Sequence, residues 1–93
     1  MSVEFAVQSR DIGLEYTAES DGLLIVVPAT SMGSNEGSYQ YIYINGQLYA
    51  FGHTYFTYGA ASTTTVPIQR GQRYRVVNAH GRAPSRVEFY TFN

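Results

Sequence analysis

Apolar residues recur at every second position in short runs, and turn-forming residues cut those runs about every ten residues. That period belongs to half-buried strands, and no stretch carries the i, i+3, i+4, i+7 spacing of a helix. Val3, Phe5 and Val7 alternate with Glu4, Ala6 and Gln8; Ile12, Leu14, Tyr16 and Ala18 alternate with Gly13, Glu15 and Thr17. Ser20-Asp21-Gly22 is a turn, and Leu23 to Pro28 is apolar on both faces, as a strand covered from two sides must be. A Gly/Ser/Asn-rich loop spans 29–38. Tyr39 to Ile44 then puts three tyrosines on one side and Gln40, Ile42 and Ile44 on the other. Asn45-Gly46 signals a two-residue hairpin with Gln47 to Phe51 returning. Gly52-His53 marks a bulge or bend before Thr54 to Tyr58, and 59–64 reads as a loop. Pro67 between Val66 and Ile68 implies an edge strand or a strand's start. Arg70-Gly71 turns into Gln72 to Asn78, with Tyr74 and Val76 inward and Arg73 and Arg75 outward. A loop over 79–85 precedes the closing strand, Arg86 to Phe92.

About eight short antiparallel strands in one domain, residues 1–93, predict an all-β fold: a small jelly-roll β-sandwich, since a single open sheet would leave its edges exposed. An immunoglobulin-like sandwich is the alternative, without the Cys–Trp–Cys signature. Composition adds a second constraint. Between Tyr39 and Tyr58, eight of twenty residues are aromatic, while the chain has no Trp and no Cys. A domain of this size buries only roughly 60–65% of the surface its unfolded chain exposes, so its core is thin. The aromatic area exceeds what that core absorbs, which implies assembly or binding. Tyrosine suits either role, with an apolar ring and a polar tip.

Charge is segregated. Glu4, Asp11, Glu15, Glu19, Asp21 and Glu36 face Arg10 alone in residues 1–36, and Arg70, Arg73, Arg75, Arg82 and Arg86 face Glu88 alone in 70–88. Pairing between the two ends of one fold, or between subunits, accounts for this. A net charge of −1 argues against a nucleic-acid footprint. The longest apolar run, Leu23 to Val27, is far short of the ~20 residues of a membrane helix, and no charged segment followed by an apolar one signals export. The lack of Cys removes disulfides and thiolate metal sites. His53 and His80 come with no metal-ligand spacing. No nucleophile motif, paired-carboxylate constellation or phosphate loop is present, so neither an enzyme nor a cofactor is expected.

Three segments carry a resemblance. Tyr16-Thr17-Ala18-Glu19-Ser20-Asp21-Gly22, leading into Leu23-Leu24-Ile25-Val26, resembles a "T-A-x-x-D-G" turn before an apolar strand. Ile42-Tyr43-Ile44-Asn45-Gly46-Gln47 resembles an apolar "N-G" hairpin. The run from Val66 through Pro67, Ile68, Gly71, Gln72 and Tyr74 to Val76 resembles "V-P-Φ-x-x-G-D-x-Y-x-V", and Val87-Glu88-Phe89-Tyr90 is similar to its ending. Together they resemble the C-terminal head domains of bacteriophage tail fibres, small jelly rolls of the C1q/TNF-like type; Gln72 stands where that pattern often has Asp. The resemblance covers Tyr16 to Phe92. It implies a homotrimer at the tip of a virion's tail fibre, acting outside the cell on a bacterial surface glycan or outer-membrane protein.

Within that reading the receptor contacts fall in loops, which vary on a rigid scaffold. The candidates are Asn35, Glu36, His53, Tyr55, Tyr58, His80 and Arg82. Candidates for the oligomer interface are Leu23, Ile25, Val27, Tyr39, Tyr41 and Tyr43; the three tyrosines fit the core or that interface, with a ligand platform as the alternative. The alternatives to a receptor-binding head are a structural virion component, such as a capsid decoration or fibre cap, and a carbohydrate-binding module.

Overall fold

The computed structural model describes residues 5–28, 38–55, 60–81 and 83–92. These form nine strands: β1 (Phe5–Ser9), β2 (Glu15–Thr17), β3 (Gly22–Val27), β4 (Ser38–Ile44), β5 (Gln47–Tyr55), β6 (Ala60–Ser62), β7 (Thr64–Ile68), β8 (Arg73–Gly81) and β9 (Arg86–Phe92). Two antiparallel sheets result, one ordered β1-β9-β3-β7 and the other β2-β8-β4-β5-β6. With the three-residue β6 set aside as an edge extension, the first, last, third and sixth strands share one sheet. The second, seventh, fourth and fifth share the other. Successive strands switch layers everywhere except at the β4–β5 hairpin, which is the jelly-roll order.

Alternation explains the layering. In β3, Leu24 and Val26 are fully buried between the sheets while Leu23, Ile25 and Val27 point outward. The same holds for Ile42 and Ile44 in β4, Val66 and Ile68 in β7, Val76 in β8, and Val87 in β9. Pro67 faces outward on β7, a strand paired with β3 alone, as its missing N–H requires. Asn45 (φ 51°) and Gly46 (φ 81°) both take positive φ, as a type I′ hairpin demands. The Asn45 side-chain oxygen also accepts from the Arg73 backbone N–H at 2.9 Å, fixing the hairpin to the start of β8. The turn into β8 is tied at several points. Gln72 Oε1 accepts from the Gln69 N–H (2.7 Å), and Asp21 Oδ1 accepts from the Arg70 N–H (2.8 Å). Gln72 thus serves the turn at the position where the resembled pattern has Asp.

Four expectations need correction. The strand expected over Ile12 to Ala18 shrinks to β2, because Ile12-Gly13 turns; Gly13 adopts φ 84° and donates its N–H to the Val76 carbonyl at 2.7 Å. No bulge falls at Gly52-His53: β5 runs unbroken to Tyr55, and the extra residue is Tyr49, without a partner on β4. Residues 60–62 of the expected 59–64 loop form β6 instead, and Thr64 opens β7. The 79–85 loop starts late, because a bulge at Ala79 lets β8 continue to Gly81.

The largest buried side chains form a stack through the core. Tyr74 on β8 lies over Phe89 of the opposite sheet (centroids 5.1 Å, 23°) and beside Tyr16 of β2 (5.6 Å, 22°). Arg10 closes the side of the sandwich there. Its Nε donates to the Tyr74 hydroxyl at 2.9 Å, Nη2 donates to Gln8 Oε1, and the guanidinium lies 4.4 Å from the Tyr16 ring centroid. Burial pushes the Tyr74 phenol above its ordinary value, and the charge and hydrogen bond of Arg10 pull it part of the way back.

Two outcomes follow. A Cβ on Gly22 would run into the Tyr90 carbonyl oxygen and lie 2.8 Å from the Phe89 ring. Gly22→Ala therefore costs about 2–3 kcal/mol, read as a melting point lowered by roughly 10–20 °C in thermal unfolding. Tyr74→Phe costs about 1 kcal/mol near neutral pH through the lost Arg10 bond. It also removes a pH dependence. Above 10.0 the unfolded chain releases a tyrosine proton that folded Tyr74 retains, so wild-type stability falls as pH rises toward the raised value. Urea midpoints measured from about pH 8 to about pH 11 should fall less steeply in the variant.

Candidate binding surface

The larger sheet's outer face is set by what its inner face takes. Gln40, Ile42 and Ile44 enter the core, so Tyr39, Tyr41 and Tyr43 must point out. Gln40 is held in that apolar setting by its Nε2, which donates to Ser38 Oγ (2.8 Å) and Asn78 Oδ1 (3.1 Å). Asn78 in turn donates to the Gly81 carbonyl, across the bulge at Ala79. The tyrosines are therefore carried on a strand anchored from beneath.

Register supplies their neighbours. Tyr43 has Leu48 on one side and Arg75 on the other; Tyr41 lies between Phe51 and Val77; Tyr39 lies between His53 and His80. The Tyr41 ring stands edge-on to Phe51 (5.6 Å, 74°) and to Tyr43 (6.5 Å, 84°). The Arg75 guanidinium sits 5.0 Å from the Tyr43 ring centroid, a cation–π distance. These groups remain open to solvent: Tyr41 is 38% exposed, Leu48 48% and Phe51 57%. Glu15 is the cross-strand neighbour of Arg75, yet its carboxylate lies 3.6 Å from Arg73. Among the described residues no carboxylate pairs with Arg75.

The smaller sheet's outer face is different in kind. Val7, Tyr90, Leu23 and Pro67 form one row across all four strands. Ser9, Glu88, Ile25 and Thr65 form the next, and Val27 lies opposite Arg86. The only carboxylate in these rows, Glu88, sits 3.5 Å from Arg86 on its own strand. The middle of this face is an aliphatic stripe, Leu23, Ile25 and Val27 on β3, lying against Tyr90, Glu88 and Arg86 on β9.

The candidate residues are distributed as follows. Leu23, Ile25 and Val27 lie on the smaller sheet and Tyr39, Tyr41 and Tyr43 on the larger, so the six interface candidates occupy opposite faces. His53 and Tyr55 belong to β5 and His80 to β8, within strands and not in the expected loops, because β5 continues past Gly52 and the bulge at Ala79 carries β8 on to Gly81. The register nevertheless brings His53 and His80 to either side of Tyr39. Asn35, Glu36, Tyr58 and Arg82 lie outside the described residues.

Phe51, Leu48 and Arg75 were missing from the candidates. Counting back from the Asn45-Gly46 hairpin gives Tyr43–Leu48 directly. It would also put Phe51 opposite Gln40, on the core side; the bulge at Tyr49 moves it one place to meet Tyr41 outside.

The clefts offer less. A cleft of about 510 Å³ beside Arg10 is lined by Tyr16, Glu19 and Phe89 among others, and the Arg10 guanidinium is already engaged with Tyr74, Gln8 and Tyr16. Among the described residues no three His, Cys, Asp or Glu side chains gather where they could hold a metal ion. The larger sheet's face can thus stack on an apolar ligand surface, hydrogen-bond through phenols and pair with an anion. Compared with protein-family models, curated proteins and solved structures, the chain matches none.

Proposed function

We propose that this chain is a non-catalytic receptor-binding head of a viral fibre. It assembles as a homotrimer through the aliphatic face around Leu23, Ile25 and Val27, and presents the aromatic face around Tyr41 and Phe51 to a host-surface structure. The observation that carries the reading is that aromatic face: exposed rings held on an anchored strand, with an unpaired guanidinium beside them. Interfaces and recognition surfaces favour aromatics and Arg, and a small sandwich has little reason to display them otherwise. The aliphatic stripe Leu23, Ile25 and Val27 on the other sheet supports association, because obligate interfaces resemble a core cut in half. The resemblance of the turn and hairpin motifs to phage fibre heads supplies the biological setting, the fibre tip outside the cell. The two apolar faces also fit a second reading, a capsid decoration or fibre cap in which packing covers both.

Two variants separate the faces. Ile25→Lys places a cation beside Glu88, which a monomer tolerates and a packed interface does not. Light scattering should show a folded monomer in place of a trimer. Tyr41→Ala should leave the trimer intact and weaken binding to a panel of bacterial cells by about tenfold to a hundredfold. Wild-type trimer that binds no strain and does not compete with infection overturns the receptor-binding reading and favours the structural one.

A further inference from the structure

We infer that the aromatic face takes an acidic saccharide, with the acid group held by Arg75 and the sugar ring resting against Tyr41 and Phe51. This rests on reading that face as the ligand surface. The charge is the first argument. Arg75 is half-buried among apolar groups, its guanidinium lies on the Tyr43 ring, and its cross-strand neighbour Glu15 is drawn to Arg73. A guanidinium held in that way is oriented and lacks an anion, and a carboxylate or sulfate can take both prongs of its fork.

Spacing is the second argument. The row of Tyr43 and Arg75 and the row of Tyr41, Phe51 and Val77 are two residues apart along β4, about 7 Å. That is the scale of one sugar ring carrying an acid substituent. The angled Tyr41–Phe51 pair offers a ring face and a ring edge to the C–H side of a saccharide, and the phenols supply hydrogen bonds for its hydroxyls.

Two other occupants fit the charges less well. A single-stranded nucleic acid also stacks on aromatics, but a groove that follows its backbone needs a run of cations. Among the described residues this face has Arg75 alone unpaired, with Arg73 engaged by Glu15, on a chain of net charge −1. A second copy meeting the face about a two-fold axis would bring like guanidiniums toward one another. Among the described residues of this face it would bring no carboxylate beyond the Glu15 that Arg73 already engages.

The test is titration of the purified protein with polygalacturonate, dextran sulfate, neutral dextran and a single-stranded oligonucleotide, at low and high salt. Binding to polygalacturonate or dextran sulfate that weakens with salt, without binding to dextran, supports the inference; the tighter of the two acids names the acid group. Arg75→Gln should weaken that binding roughly tenfold, with Arg75→Lys intermediate and circular dichroism unchanged in both. Equal binding of dextran, tighter binding of the oligonucleotide, or an Arg75→Gln variant that binds as wild type overturns it. So does failure to bind either acidic polymer. If Tyr41→Ala still weakens cell binding in those cases, only the acidic assignment fails; if it does not, the aromatic face is not the ligand surface.

Discussion

A two-layer sandwich hides one side chain in two along each strand, and in this chain much of the other half is apolar as well. Leu24 and Val26 enter the core, yet Leu23, Ile25 and Val27 are no more polar. Ile42 and Ile44 enter it, and the residues between and beside them are tyrosines. Nothing within a thin two-sheet core can take both sets. The outer faces inherit the surplus, and each inherits a different kind. The smaller sheet shows an aliphatic stripe beside Tyr90 and one local ion pair, while the larger shows several rings, their phenols and a guanidinium.

One extra residue decides the second of these surfaces. Tyr49 has no partner on β4, so every β5 residue beyond it is turned over relative to a regular hairpin. Ala50 is thereby placed against the core and Phe51 against Tyr41. A regular register would have put the Phe51 ring into the layer that Gln40 and Ile42 already fill. The larger sheet would then have kept its tyrosines and lost the angled pair.

This explains what the sequence discloses and what it conceals. The strands other than β6, the division of β3 and β4 into two faces, the inward turn of Tyr74 and Val76 in β8, the Asn45-Gly46 hairpin and the edge position of Pro67 are local matters of alternation and turn chemistry, and these were legible; which face of β3 and β4 enters the core was not. The charge segregation was legible too. Glu15 pairs with Arg73, joining the two ends of the chain as that pattern implied, while Asp21 reaches the Arg70 backbone N–H, a contact that owes nothing to the arginine's charge. Bulges were not legible, because an unpaired residue has no signature of its own when its neighbours are also good strand formers. Gly52 looked the better site, being the glycine, and the ladder passes straight through it. Ala79, equally ordinary, extends β8 and brings His80 level with Tyr39.

The chemical difference between the two faces bears on how one small domain could both assemble and recognise. Aliphatic surface is non-directional and gains most from complete exclusion of water, so it favours a permanent contact with another copy. Rings with polar tips tolerate repeated wetting and gain from direction: an edge, a face, a hydroxyl, a fixed cation. On the larger sheet these groups sit over Gln40, whose amide is held by Ser38 of its own strand and bonds to Asn78, tying β4 to β8 from below. A ligand arriving there meets groups whose ordering has already occurred during folding. Such prior ordering lowers the entropy lost on binding.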